Sequence, residues 1–137
     1  KRTIKTPKLY FTDTGLAVYL TKWSSTETLE SGAMNGAFFE NYVVSEIIKS
    51  YYNAGQEPFL YYYRDKDMKE IDVIMESDGQ LHPIEIKKSA SPNNGMIKAF
   101  SVLDKATVPC GTGAVICMKN ELSALSRENL IVPAWLV

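Results

Sequence analysis

Ile71-Asp72-Val73-Ile74-Met75-Glu76-Ser77-Asp78-Gly79-Gln80-Leu81-His82-Pro83-Ile84-Glu85-Ile86-Lys87 reads as two strands folded back on one another. Asp-Gly is a strong signal for a two-residue hairpin turn, because both central positions need a positive φ that few other pairs accept. The strands are expected over Ile71–Met75 and Leu81–Lys87. With that turn, Ser77 pairs with Gln80, Asp72 lies opposite Glu85, and Glu70 lies opposite Lys87. Directly opposed residues share a face of a sheet, and so do residues two apart. Asp72, Glu85 and Lys87 are therefore expected on one side.

Like charges placed opposite one another destabilise a sheet. The aliphatic neighbours Ile74, Ile84 and Ile86 imply that both faces are at least partly covered. Two carboxylates in such surroundings need a shared proton or a cation. Lys87 supplies one positive charge, and a divalent metal would supply the rest.

Upstream, a long helix is expected over Ala37 to Asn53, stopped by Ala54-Gly55. At steps of about 100° per residue, Phe39, Val43, Val44, Ile47, Ile48 and Tyr51 fill one apolar face. Glu40 falls between Ile47 and Tyr51, in the middle of it. A carboxylate there must find a partner. It is either a third metal ligand or a buried group paired with a Lys or a Tyr. Glu40, Asp72 and Glu85 together make a hard oxygen donor set that suits Mg²⁺ or Mn²⁺ rather than zinc. Lys87 beside such an ion would orient or deprotonate a water.

The remaining elements are lighter. Asp13 reads as the N-cap of a helix from Thr14 to Leu20, and a turn of helix covers Glu27 to Leu29. Phe59 to Arg64 is an aromatic strand. A helix is expected from about Met96 to Leu103 and a buried strand over Ala114 to Cys117. Leu122 to Ser126 reads as a short helix, and Asn129 to Leu136 as a last apolar strand. The order makes a mixed α/β domain.

Helix-borne Glu40, Ile71-Asp72-Val73-Ile74 and Pro83-Ile84-Glu85-Ile86-Lys87 together resemble the PD-(D/E)XK nuclease superfamily, with Glu85-Ile86-Lys87 as its E-x-K element and Asp72 at its preceding acidic position. Ile71 stands where the superfamily often has Pro. More narrowly, the chain is similar to a C-terminal domain that follows the ATP-binding module in prokaryotic AAA-type ATPases. Five blocks carry that likeness: Lys8 to Leu16, Gly36 to Asn41, Tyr63 to Lys66, Glu70 to Asp72, and Ile84 to Ser89. The resemblance implies a restriction-endonuclease-like α/β fold, a mixed sheet flanked by helices. It implies Mg²⁺-dependent phosphodiester hydrolysis, with Asp72, Glu85, Lys87 and Glu40 as the catalytic group. It also implies a nucleotide-binding ATPase module preceding residue 1 as a partner, with residues 1–33 a linker and helical lead-in and 34–137 the nuclease-like domain. The alternative is a catalytically inactive binding or interaction module on the same fold.

Composition sets bounds. A formal net charge of -1 lacks the basic excess of a dedicated nucleic-acid binder, though it leaves room for a basic face. No apolar run reaches the length of a membrane span. Cys110 and Cys117 lack the partners of a zinc site and read as reduced thiols of a cytoplasmic protein. Gly111-Thr112-Gly113 lacks the Gly-Lys-Ser/Thr of a phosphate loop, so ATP belongs to the preceding module only. His82, the only histidine, and the run Tyr61-Tyr62-Tyr63 read as structural. Glu70 and Arg64 read as a flanking surface ion pair, and Lys88 as solvent-facing.

Overall fold

The computed structural model describes residues 6–137. Asp78 and Gly79 both have positive φ, 51° and 73°, as the hairpin turn requires. The turn joins β2 (Glu70–Ser77) to β3 (Gln80–Lys87), and Ser77 pairs with Gln80 as expected. β1 (Leu60–Arg64) runs antiparallel to β2 on its outer side. β4 (Gly113–Cys117) lies parallel to β3, and β6 (Asn129–Pro133) parallel to β4. A two-residue β5 (Ser123–Ala124) completes one mixed six-stranded sheet in the order β1-β2-β3-β4-β6-β5.

Three α-helices precede the sheet. α1 (Thr14–Leu20) starts on Asp13, whose carboxylate accepts the Leu16 N–H. α2 (Thr26–Ser31) starts on a Ser25–Thr28 capping box. α3 (Asn35–Asn53) ends where Gly55, at φ 71°, lets the Gln56 N–H reach the Tyr51 carbonyl. Its face packs as the periodicity predicts. Val43, Val44 and Ile47, flanked by Phe39, Ile48 and Tyr51, lie against Val73, Ile84, Ile86 and Ile116.

A parallel step from β3 to β4 needs a crossover. The crossover covers the opposite face of the sheet through Phe100 and Leu103, which pack on Ile71 and Ile74. The helix expected here is present as a 3-10 helix, Lys98–Lys105. Its apolar residues Ile97, Phe100 and Leu103 recur every third position, the repeat of a 3-10 helix. Leu122 to Ser126 departs from expectation. Ser123 and Ala124 form a strand, because Ile131 and Leu130 of β6 offer them a ladder.

One irregularity positions the site. Tyr61 pairs with Ile74, but Tyr63 pairs with Ile71, so Asp72 and Val73 together oppose the single Tyr62. That is a β-bulge in β2. It explains why Ile71 and Ile74, three apart, pack on the same face while Val73 packs under α3.

Candidate functional site

Beyond the pair Val73–Ile84 the β2–β3 ladder stops, and the bulge turns Asp72 out of simple alternation. Its carboxylate takes over a backbone role. Asp72 Oδ2 accepts the Ile86 N–H at 2.9 Å, filling the place a ladder carbonyl would have. Asp72 is 6% exposed and Glu85 7%, so both acids are buried where the two strands part.

Lys87 joins them. Its ammonium lies 2.7 Å from Glu85 Oε1 and 3.6 Å from Asp72 Oδ2. The other Glu85 oxygen, Oε2, is buried with no hydrogen-bond partner. Burial first, and then the Asp72 charge, push the Glu85 pKa up to about 7, against the opposing pull of Lys87. Burial also raises Asp72, opposed by the Ile86 N–H and Lys87. For Lys87 burial works against the charge, but the Glu85 and Asp72 carboxylates outweigh it and hold its pKa above the ordinary lysine value.

Glu40 stands on the other side of Asp72 and is already paired. Tyr10 donates its hydroxyl to Glu40 Oε1 at 2.6 Å, and the Lys8 ammonium lies 2.9 Å from the same oxygen. Both partner types weighed for a buried Glu40, a Lys and a Tyr, are present at once. Lys8 also reaches Glu70 Oε1 at 2.6 Å and comes within 3.8 Å of Asp72 Oδ1. Arg64 Nε lies 3.7 Å from Glu70 Oε2, so Glu70 belongs to this network as well as flanking it. The groups form a chain of alternating charge, Glu40–Lys8–Asp72–Lys87–Glu85. Among the described residues no group of three or more His, Cys, Asp and Glu side chains is close enough to hold one metal ion. Glu40, Asp72 and Glu85 are thus brought into one region but linked through lysines.

Lys8 and Tyr10 are the site residues that reading along the chain passes over. The signal was partial: a carboxylate on the apolar face of α3 demands a partner, but nothing in Lys8-Leu9-Tyr10 says that these residues supply it. The other candidates take lesser parts. Lys88 comes 3.5 Å from the Glu30 carbonyl near the end of α2, and His82 Nδ1 lies 3.0 Å from the Thr112 carbonyl. Cys110 and Cys117 are both free thiols.

Residues 35–137, from the start of α3 through the last strand, match the family model described as "Domain of unknown function (DUF4143)". The chain belongs to that family. It is also 31% identical over 93 residues to "Uncharacterized protein Mb2031c" of Mycobacterium bovis and, at the same identity, to "Uncharacterized protein Rv2008c" of Mycobacterium tuberculosis. Each match covers 68% of this chain and 20% of the relative, so the DUF4143 chain spans about a fifth of the curated relatives' length. No solved structure matches it significantly. Among the described residues no helix is long and apolar enough to cross a membrane.

Proposed function

We propose that this DUF4143 domain is a Mg²⁺- or Mn²⁺-dependent nuclease-like module that hydrolyses phosphodiesters of nucleic acid, as the C-terminal part of a longer AAA-type ATPase. The observation that carries the reading is Glu85 Oε2, a buried carboxylate oxygen without a partner, held beside Asp72 and Lys87 where β2 and β3 part. A buried acidic oxygen left bare costs free energy unless a cation or a proton meets it. Asp72 and Glu85 offer hard oxygens of the kind a divalent ion prefers. A bound ion would neutralise phosphodiester charge and acidify a water.

The chain's own groups have definable parts. Asp72 and Glu85 would hold the cation. Lys87, fixed by two carboxylates and 43% exposed, would point a donor toward the attacking water or the developing phosphorane charge. Glu40 acts by positioning Lys8 and Tyr10, and joins the ligands only after those bonds open. The greater length of the curated relatives supports the reading of a longer protein, and the ATPase module rests on the sequence resemblance alone.

A second reading has an observation of its own. Lys8 already bridges Glu40 and Glu70 and lies 3.8 Å from Asp72, so a protein cation stands among these acids without any metal, as a binding module would allow. Incubating the protein with single-stranded and duplex DNA and RNA, with Mn²⁺ or chelator, separates the two. Cleavage that needs the metal and disappears in Asp72→Asn and Lys87→Met supports the enzyme. Metal binding with every substrate intact transfers the case to the binding module.

A further inference from the structure

The segment that carries Lys8 is held in an unusual way. A set of polar contacts ties it to α3 and β2. Lys8 bridges Glu40 and Glu70, and Tyr10 donates to Glu40. The Phe11 backbone is then clamped by one side chain: Asn41 Oδ1 accepts the Phe11 N–H at 2.7 Å, and Asn41 Nδ2 donates to the Phe11 carbonyl at 3.0 Å. Apolar packing is uneven: Tyr10 packs against the core under α3, while Leu9, between Lys8 and Tyr10, is 85% exposed. A cavity of about 280 Å³ lies along one side of the segment, lined by Leu9, Phe11, Met34 and Phe38. A second of about 290 Å³ lies along the other, between Lys8, Tyr10, Ile48, Leu60 and Asp72. A strap flanked by open space and fixed by ion pairs separates from its bed more readily than one sealed by a packed core.

What it covers is acidic. With Lys8 lifted away, Glu40, Glu70, Asp72 and Glu85 would be left with Lys87 and Arg64 as the nearest cations. That excess of negative charge beside the buried, unpartnered Glu85 Oε2 is what a divalent ion would relieve.

We infer that the Lys8–Phe11 strap is an autoinhibitory latch, whose ammonium competes for the Asp72 carboxylate with a divalent cation held by Asp72 and Glu85. The inference rests on the metal reading of the site given above. Competition of this kind is reciprocal: a bound cation loosens the strap as much as the strap weakens the cation. It also assigns a consequence to any partner that draws residues 8–11 off α3. Such a partner raises the cation affinity of a site it never touches.

The test uses Mn²⁺ as the probe, titrated by calorimetry into the whole chain, with backbone hydrogen exchange followed at residues 9–13. Lys8→Met keeps the stem and removes the charge. Asn41→Ala frees the strap backbone and leaves every charge in place, so its effect separates displacement of the strap from simple loss of a nearby positive charge. Both variants are expected to bind Mn²⁺ more tightly, by about tenfold, within the roughly 5- to 150-fold range of ordinary allosteric coupling. In the unaltered protein, Mn²⁺ is expected to speed exchange at the Phe11 amide, a measurement that needs no variant to fold. Mn²⁺ binding that depends on Asp72 and Glu85 but is unchanged in both variants, with constant exchange at 9–13, overturns the latch and leaves the metal reading standing. No Mn²⁺ binding in any form of the protein overturns the metal reading, and the latch with it.

Discussion

Replacing Glu85 by Gln should make the protein more stable at pH 8 while ending its metal affinity. The folded site lifts the Glu85 pKa from an ordinary 4.5 to about 7. The folded state therefore holds this proton more tightly than the unfolded chain does. Between about pH 4.5 and 7 the folded state binds more protons, so stability falls as pH rises through that window. The contribution is fully present below the unfolded pKa and gone above the folded one. At about 1.36 kcal/mol per tenfold change, the full shift would amount to roughly 3 kcal/mol. The neighbouring Lys87 is 43% exposed, so water reaches and screens part of this charge, which reduces the figure to about 1–2 kcal/mol. Gln is isosteric and stays neutral. The variant loses the Lys87 ion pair, but a pair with one half-exposed partner is worth little, and Lys87 keeps Asp72 at 3.6 Å. Thermal melts at pH 5 and pH 8 read the effect. The variant should match the parent at the lower pH and exceed it at the higher by about 3–8 °C, taking the usual conversion for a domain of this size. A variant that melts lower than the parent at pH 8 would refute the reasoning, because Glu85 would then be a structural partner of Lys87 and not a strained acid.

Asp72→Ala should be less stable than Asp72→Asn by about 1–2 kcal/mol in urea, since only the amide retains an oxygen for the buried Ile86 N–H. Equal stabilities would mean that the Asp72–Ile86 bond does not hold the strands at their parting. Gly79→Ala should cost about 1 kcal/mol with no new clash, because a Cβ there meets open space but the φ of 73° strains any L side chain. Ile71→Ala should cost about 3 kcal/mol and leave Mn²⁺ binding intact in the folded fraction, because Ile71 is fully buried on the face away from α3. Chemical denaturation beside a metal titration checks both halves of that expectation.

The hairpin and α3 were legible because each is fixed by short-range rules. Asp78-Gly79 admits one turn type, that turn sets the register, and the spacing of Phe39 to Tyr51 admits one buried face. Leu122 to Ser126 was misread for want of a neighbour. Ser123 and Ala124 take their conformation from β6, which no window of local sequence contains. The candidate site was legible to the extent that an acid in a buried position announces a need. Asp72, Glu85 and Glu40 were identifiable as groups that must be compensated. Which cation compensates them was not identifiable, since Lys8 and Glu40 are 32 residues apart and the Lys8–Phe11 segment has no helix or strand period to aim it. The bulge was hidden for the same reason: it shows only when β1 is laid beside β2.

That bulge has a second consequence, for how copies of the chain meet. β1 forms one border of the sheet among the described residues, with Leu60-Tyr61-Tyr62-Tyr63 in extended form. An aromatic strand without proline at a sheet border is a ready template for another chain to add to, the first step of a fibril. A flat rim would accept that addition. The extra residue at Asp72–Val73 sharpens the twist of the β1–β2 ribbon and breaks the even spacing of its hydrogen bonds, so a second chain finds no long, straight row to zip onto. The irregularity that turns Asp72 toward its site thus also works against edge-to-edge addition. A deletion that restored regular pairing would remove the carboxylate from its post and leave the border open to polymerisation.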